Sequence, residues 1–246
     1  MKGIAFTAYD VFAYLSSGFF LIGAADYAFP GTWLIDARLN TGHVFLWIVV
    51  AYVLGHMVAQ ISATVLEKGL VKHVLGYPTT VLFRGPEERN KPTWRKRLAW
   101  IFNQQEWSRK NVRLLFPGYS EPLPLQMCSL VRETVKKDGL NITEDPALFM
   151  YCDARVKTND QTGALLTVFL SLYGFARNVC VSAALAAVLL LGGAVLYHEN
   201  WDTKLWLSGV AAVMAVFLLY RYLKFFRVYA LELFSAYAAL YPVSDS

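Results

Sequence analysis

The sequence predicts an all-α polytopic membrane protein with four transmembrane helices, and three observations predict it. Four apolar runs each reach the roughly 20 residues that a membrane crossing needs. Of the 23 lysines and arginines, 16 fall between positions 67 and 162, between the second and third runs. Trp33, Trp47, Trp201 and Trp206 flank the runs on the opposite side, where an aromatic belt belongs. The chain has 246 residues, of which 56% are hydrophobic, with a mean hydropathy of +0.38. A water-soluble domain of this length does not need four such runs.

The first hairpin occupies 1–66, with spans near 11–29 and 43–66. Ser16, Ser17, Gly18 and Gly23 give the first span a surface that another helix can approach closely. Asp10 and Asp26 mark its two ends. Asp10 and the following Pro30-Gly31 speak against a cleaved signal peptide. On the second span, Tyr52, His56, Gln60, Ala63 and Glu67 share one face at steps of three and four. Such a stripe should face other helices, either bonding across the bundle or lining a water-filled path. Tyr52, His56, Gln60 and Glu67, with Arg177, are the candidate bundle-lining residues.

Residues 67–145 form a basic cytoplasmic helical segment. Gly76-Tyr77-Pro78 ends the extension of the second span. A helix over 93–108 carries Trp94 on its apolar face beside Arg95, Lys96 and Arg97. These four residues suit the anionic inner leaflet, or less favourably a nucleic-acid backbone. A further helix over 123–138 is closed by Gly139, and Pro146 sits in the first turn of the next.

The second hairpin fills 146–246, with spans near 179–197 and 205–223 and a cytoplasmic helical stalk made of 146–178 and 224–241. Gly163, Thr167, Ser171, Gly174, Asn178 and Ser182 recur at helical spacing, a candidate packing seam within the monomer or between copies. The tail after Lys224 is too apolar to stand in water and requires a protein cover, from the middle segment or a second copy.

The positive-inside rule places the middle segment and both termini in the cytoplasm. Cys128, Cys152 and Cys180 form no Cys-x-x-Cys pair, which gives no sign of a disulfide framework or zinc site. There is no paired-histidine metal motif, glycine-rich phosphate loop or nucleophile elbow. No catalytic residue, metal ligand or cofactor is therefore expected, and a membrane-embedded lipid enzyme would lack its motif.

Three stretches carry a resemblance: Tyr9-Asp-Val-Phe-Ala-Tyr-Leu-Ser-Ser-Gly18; Tyr52-Val-Leu-Gly-His-Met-Val-Ala-Gln60 followed by Gly76-Tyr-Pro78; and Leu172-Tyr-Gly-Phe-Ala-Arg-Asn178. They resemble a loose group of small bacterial four-span inner-membrane proteins, some encoded beside anti-phage defence genes. That resemblance implies a sensor or a membrane-disrupting effector and supplies no catalytic residues. The expected function is non-enzymatic: an inner-membrane protein that self-associates and couples a cytoplasmic protein partner or signal to the membrane. The alternative is a self-sufficient channel or transporter using the polar stripe of the second span. Expected partners are membrane lipids, further copies and a cytoplasmic protein, with nucleic acid less favoured.

Overall fold

A computed structural model describes residues 8–30, 41–75, 77–83, 119 and 121–241. All regular elements among them are helical: α1 (Ala8–Ala28), α2 (Thr41–Ser62) with a π-helical continuation (Ala63–Leu75), α3 (Pro78–Leu82), α4 (Leu125–Lys137), α5 (Asp145–Val156), α6 (Asp160–Leu196) and α7 (Trp201–Leu240). Four helical stretches are long and apolar enough to cross a membrane: Val11–Ala28, Thr41–Val71, Asp160–Leu196 and Trp201–Leu240. The chain is a multi-pass membrane protein. At 37 and 40 residues, α6 and α7 rise about 55–60 Å, well beyond a hydrocarbon layer of about 30 Å.

The chain divides into two compact units. Met1–Glu67 and Ser171–Tyr222 make the first; Lys68–Leu170 and Leu223–Ser246 make the second. Residues of α6 and α7 belong to both units.

In the first unit, small residues set the packing. A Cβ added at Gly18 would overlap the backbone of Ala51, and one added at Gly55 would overlap the backbone of Tyr14. The two pairs place α1 and α2 antiparallel, with backbones in direct contact over one helical turn. Lipid is as apolar as leucine, so such close van der Waals contact, rather than water expulsion, holds spans together. Gly193 meets Ala28 in the same way, beside a cluster of Ala24, Ala28, Ala186, Leu190 and Ala211.

The α6–α7 hairpin is equally regular. Cys180 Sγ lies 3.3 Å from the Ala215 carbonyl, Ser208 Oγ donates to the Ala187 carbonyl at 2.8 Å, and the Tyr173 and Tyr222 rings are 5.1 Å apart. All three pairs centre on the same point of the chain, between Tyr197 and His198 in the turn that joins the helices. Asn200 closes that turn in the left-handed region (φ 54°), a conformation asparagine tolerates better than most residues.

The second unit has a water-type core. Tyr237, Phe234, Leu233, Leu82, Leu148, Leu166, Val131 and Val135 are fully buried, each side chain of this kind contributing roughly 1.5–3 kcal/mol when removed from water. The tail of α7 supplies Tyr229, Ala230, Leu233, Phe234, Tyr237 and Ala238 to this core. These positions repeat at steps of one and three, a single stripe, while Glu232 and Ser235 stay exposed. The cover this tail requires comes from α3, α4, α5 and the start of α6. Phe83 packs edge-on against Phe234 at 4.7 Å, an arrangement favoured by the ring quadrupoles.

Polar contacts fix the ends of these elements. The Leu82 carbonyl at the end of α3 accepts from Leu123 N at 2.9 Å. After α4, Gly139 (φ 78°) turns the chain, with Gly139 N donating to Lys136 O and Leu140 N to Val135 O. Stalk residues 146–178 are two helices rather than one stretch. The chain bends at 157–159, where Asn159 Oδ1 caps α6 by accepting from Thr162 N at 3.1 Å. Asparagine is a strong N-cap, and the polar run Lys157-Thr158-Asn159-Asp160-Gln161-Thr162 around it interrupts the apolar pattern.

Candidate functional site

The first unit holds one cluster of ionisable and polar groups in otherwise apolar surroundings. It begins where α2 gives way to the π-helical stretch. Buried positions on this helix run Ala51, Gly55, Val58, Ser62, Leu66 and Val71. Their spacing is three or four until Leu66 and then five. The i→i+5 bonding of a π-helix rotates the following residues relative to an α-helix. Glu67, five positions after Ser62, is thereby turned toward α6.

On α6, Tyr173 and Arg177 are four apart and so share a face. The Tyr173 hydroxyl and Arg177 Nη1 both donate to Oε1 of Glu67. Arg177 Nε donates to Asn178 Oδ1 at 3.3 Å, and Ser62 Oγ donates to the same oxygen at 2.8 Å. The guanidinium also stands 5.7 Å from the Tyr173 ring centre, within range of a cation–π attraction. Arg177 therefore bridges Glu67 and Asn178, and the cluster ties the extension of α2 to α6. The Tyr222 ring of α7 packs against that of Tyr173, with centroids 5.1 Å apart.

A second group is aromatic. The Tyr14 ring stacks on His56 with centroids 4.0 Å apart and planes at 21°; Tyr52 meets both rings edge-on at 6.0 and 4.6 Å. His56 is thus covered by α1.

The predicted lining residues consequently separate. Glu67 and Arg177 meet; Tyr52 and His56 join the stack on Tyr14; Gln60 is exposed and belongs to neither. The α-helical period that aligned Gln60 with Glu67 ends at Ser62. The predicted seam separates too. Asn178 and Ser182 are buried. Gly174 has no atom within 4 Å of an added Cβ, whereas at Gly163 the nearest is the Lys157 carbonyl oxygen at 3.4 Å. Thr167 is exposed and donates to the Gly163 carbonyl at 2.8 Å, and Ser171 is half-buried. Trp94, Arg95, Lys96 and Arg97 lie outside the described residues.

Sequence reasoning missed Tyr14, Ser62, Tyr173 and Tyr222. The i, i+4 pair Tyr173 and Arg177 was the available signal, a phenol and a guanidinium on one face. In the second unit, burial pushes the Cys152 thiol up to about 12 and raises that of Cys128, leaving neither as a thiolate near neutral pH. The Tyr151 hydroxyl is raised by burial and by its bond to Asp138. Among the described residues no three of His, Cys, Asp or Glu gather as a metal-binding set.

Fold and site together define an α-helical multi-pass membrane protein with an internal ion-pair cluster. No known protein family, curated protein or solved structure matches the chain.

Proposed function

We propose that this protein is a non-enzymatic subunit of a bacterial inner membrane. It self-associates and couples a signal or protein partner, received on its cytoplasmic helical part, to its membrane bundle. The basic segment and both termini face the cytoplasm in this reading, as the lysine and arginine distribution indicates. The observation that carries it is the Glu67–Arg177–Tyr173 cluster. The cluster lies at the cytoplasmic ends of the predicted spans 43–66 and 179–197, where it joins the extension of α2 to α6, and ionisable groups held between membrane helices are costly to leave unpaired. A change that separates Arg177 from Glu67 leaves two charges in apolar surroundings. In this reading, making and breaking that pair is the step that switches the bundle between two arrangements. Opening or disturbing the membrane is the output, in a defence or stress response. The Tyr14 ring over His56 favours this reading over a self-sufficient channel lined by the second span's stripe.

Gentle cross-linking in native membranes, followed by affinity isolation and a detergent-corrected mass, tests the proposal. The expected product contains more than one copy together with a soluble protein. Gly174→Leu or Ser171→Leu should reduce it to single copies while insertion stays normal. A bare monomer from wild-type membranes removes the proposal.

A further inference from the structure

The turn between α6 and α7 carries an inverted pattern of burial. From Val195 to Trp206 every residue is exposed except Lys204, which is 6% exposed. Lys204 begins the buried stripe of α7 that continues through Ser208 and Ala211. A lysine is almost never buried this far unless its charge is paired. The ammonium lies 5.8 Å from the Tyr197 ring centre, within cation–π range. Among the described residues that ring is its one side-chain partner, and no carboxylate pairs with it. The stem is buried while the ammonium itself stays open to the surroundings.

Two further features converge on that ammonium. Tyr197 precedes α7, so the ammonium is directed toward the N-terminus of the helix, the way helical side chains lean. Lys204 N donates to the Asn200 carbonyl at 3.0 Å and closes the first turn. The N–H groups of residues 201–203 precede any intrahelical acceptor, and their dipoles add positive potential there. The turn also joins two helices long and apolar enough to cross a membrane, which puts it at headgroup level. Trp201 and Trp206, 52% and 68% exposed, fit the aromatic belt of that depth. The anions abundant at that depth are lipid phosphates.

We propose that Lys204 holds the phosphate of a phospholipid headgroup. The phosphate meets the ammonium beside Tyr197, and the acyl chains lie along the exposed apolar residues Leu205, Trp206 and Val210. That apolar flank favours a lipid over free phosphate, which would leave it unused. The exposed carboxylates of Glu199 and Asp202 act in the same direction. They repel a phosphate dianion more than a phosphodiester, which carries one negative charge. This inference needs only the position of the turn at the end of two spans and is independent of the coupling role.

The test uses purified full-length protein, stripped of lipid in mild detergent and titrated with phosphatidylglycerol or with diacylglycerol of identical chains. Native mass spectrometry reads the first lipid bound. Wild type should hold phosphatidylglycerol about tenfold more tightly than diacylglycerol, the scale of one charge-assisted hydrogen bond. Lys204→Met keeps the buried stem, removes the charge and should abolish that preference. Lys204→Arg keeps the charge and should stay within about twofold of wild type. Equal affinity of wild type for the two lipids overturns the proposal. So does an unchanged phosphatidylglycerol affinity in Lys204→Met. Displacement of the bound lipid from wild type by millimolar inorganic phosphate also overturns it, because the chains would then contribute nothing. The wild-type comparisons decide the matter even if Lys204→Met fails to fold.

Discussion

Replacing Arg177 with methionine keeps most of the side-chain length and removes the charge that holds Glu67. The side chains of the pair are 17% and 29% exposed, which places them between two measured regimes. Exposed pairs contribute about 0–1 kcal/mol. Breaking a buried pair by removing one partner costs about 3–5 kcal/mol, because the other charge is left uncompensated. Partial exposure and the remaining bond from Tyr173 moderate that cost, so Arg177→Met should lose about 2–3 kcal/mol. Glu67→Gln retains an acceptor for Tyr173 but strands Arg177, the less exposed partner, and should likewise lose about 2–3 kcal/mol. In the double variant no charge is stranded, and the loss should fall short of the sum by about 1–2 kcal/mol. Reversible denaturant unfolding of the purified protein in mild detergent, followed by tryptophan fluorescence, measures all four corners of this cycle. A coupling below about 0.3 kcal/mol, within the usual additivity of independent sites, refutes the claim that the two groups act as one unit. Arg177→Lys should recover only part of the loss, because an ammonium cannot reach Glu67 and Asn178 in the planar manner of a guanidinium.

Gly18→Ala and Gly55→Ala each place a methyl group on a neighbouring backbone and should destabilise by about 1–3 kcal/mol. Gly23→Ala, which meets nothing within 4 Å, should stay within about 0.5 kcal/mol in the same unfolding assay; equal effects at all three sites would sink the backbone-contact reading. Phe234→Ala empties a fully buried site against Phe83 and Phe149 and should cost about 3–5 kcal/mol. Exposure of the second unit to limited proteolysis should rise with it; an unchanged digestion pattern contradicts the proposed core. Cys152 links stability to alkaline pH. The unfolded thiol ionises near 9.0 and the folded one only at about 12, so its contribution is complete below pH 9 and is lost as pH rises through that window. The slope should reach at most about 1.4 kcal/mol per pH unit, and Cys152→Ala should flatten it. An identical slope in that variant rejects the linkage.

The four spans were legible because hydropathy and length act locally and demand no partner. Gly139 and Pro146 were legible for the same reason: a left-handed turn and a fixed φ need only their own residues. Glu67 and Arg177 could be named separately but not joined, since their meeting depends on the π-helical register after Ser62. Gln60 shares the helical face of Tyr52 and His56 within α2, yet the structure leaves it exposed. Tyr14 escaped notice since nothing in its own span announces that His56 lies across from it. The bend at 157–159 was written plainly in Asn159 and Thr162, a capping pair within the polar run 157–162.

The regular pairing of α6 with α7 makes the four residues between them a length gauge. Cys180 with Ala215, Ala187 with Ser208 and Tyr173 with Tyr222 all depend on the same count through the turn. One inserted residue would rotate everything after it by about 100° and advance it by about 1.5 Å. Tyr222 would leave Tyr173, and the stripe from Tyr229 to Ala238 would turn away from the core it fills. Insertions of three or four residues, near a whole helical turn, would restore the facing while sliding α7 along its partner. In this hairpin, tolerance to added length should therefore come in steps of a turn, although the turn itself touches neither the cluster nor the core.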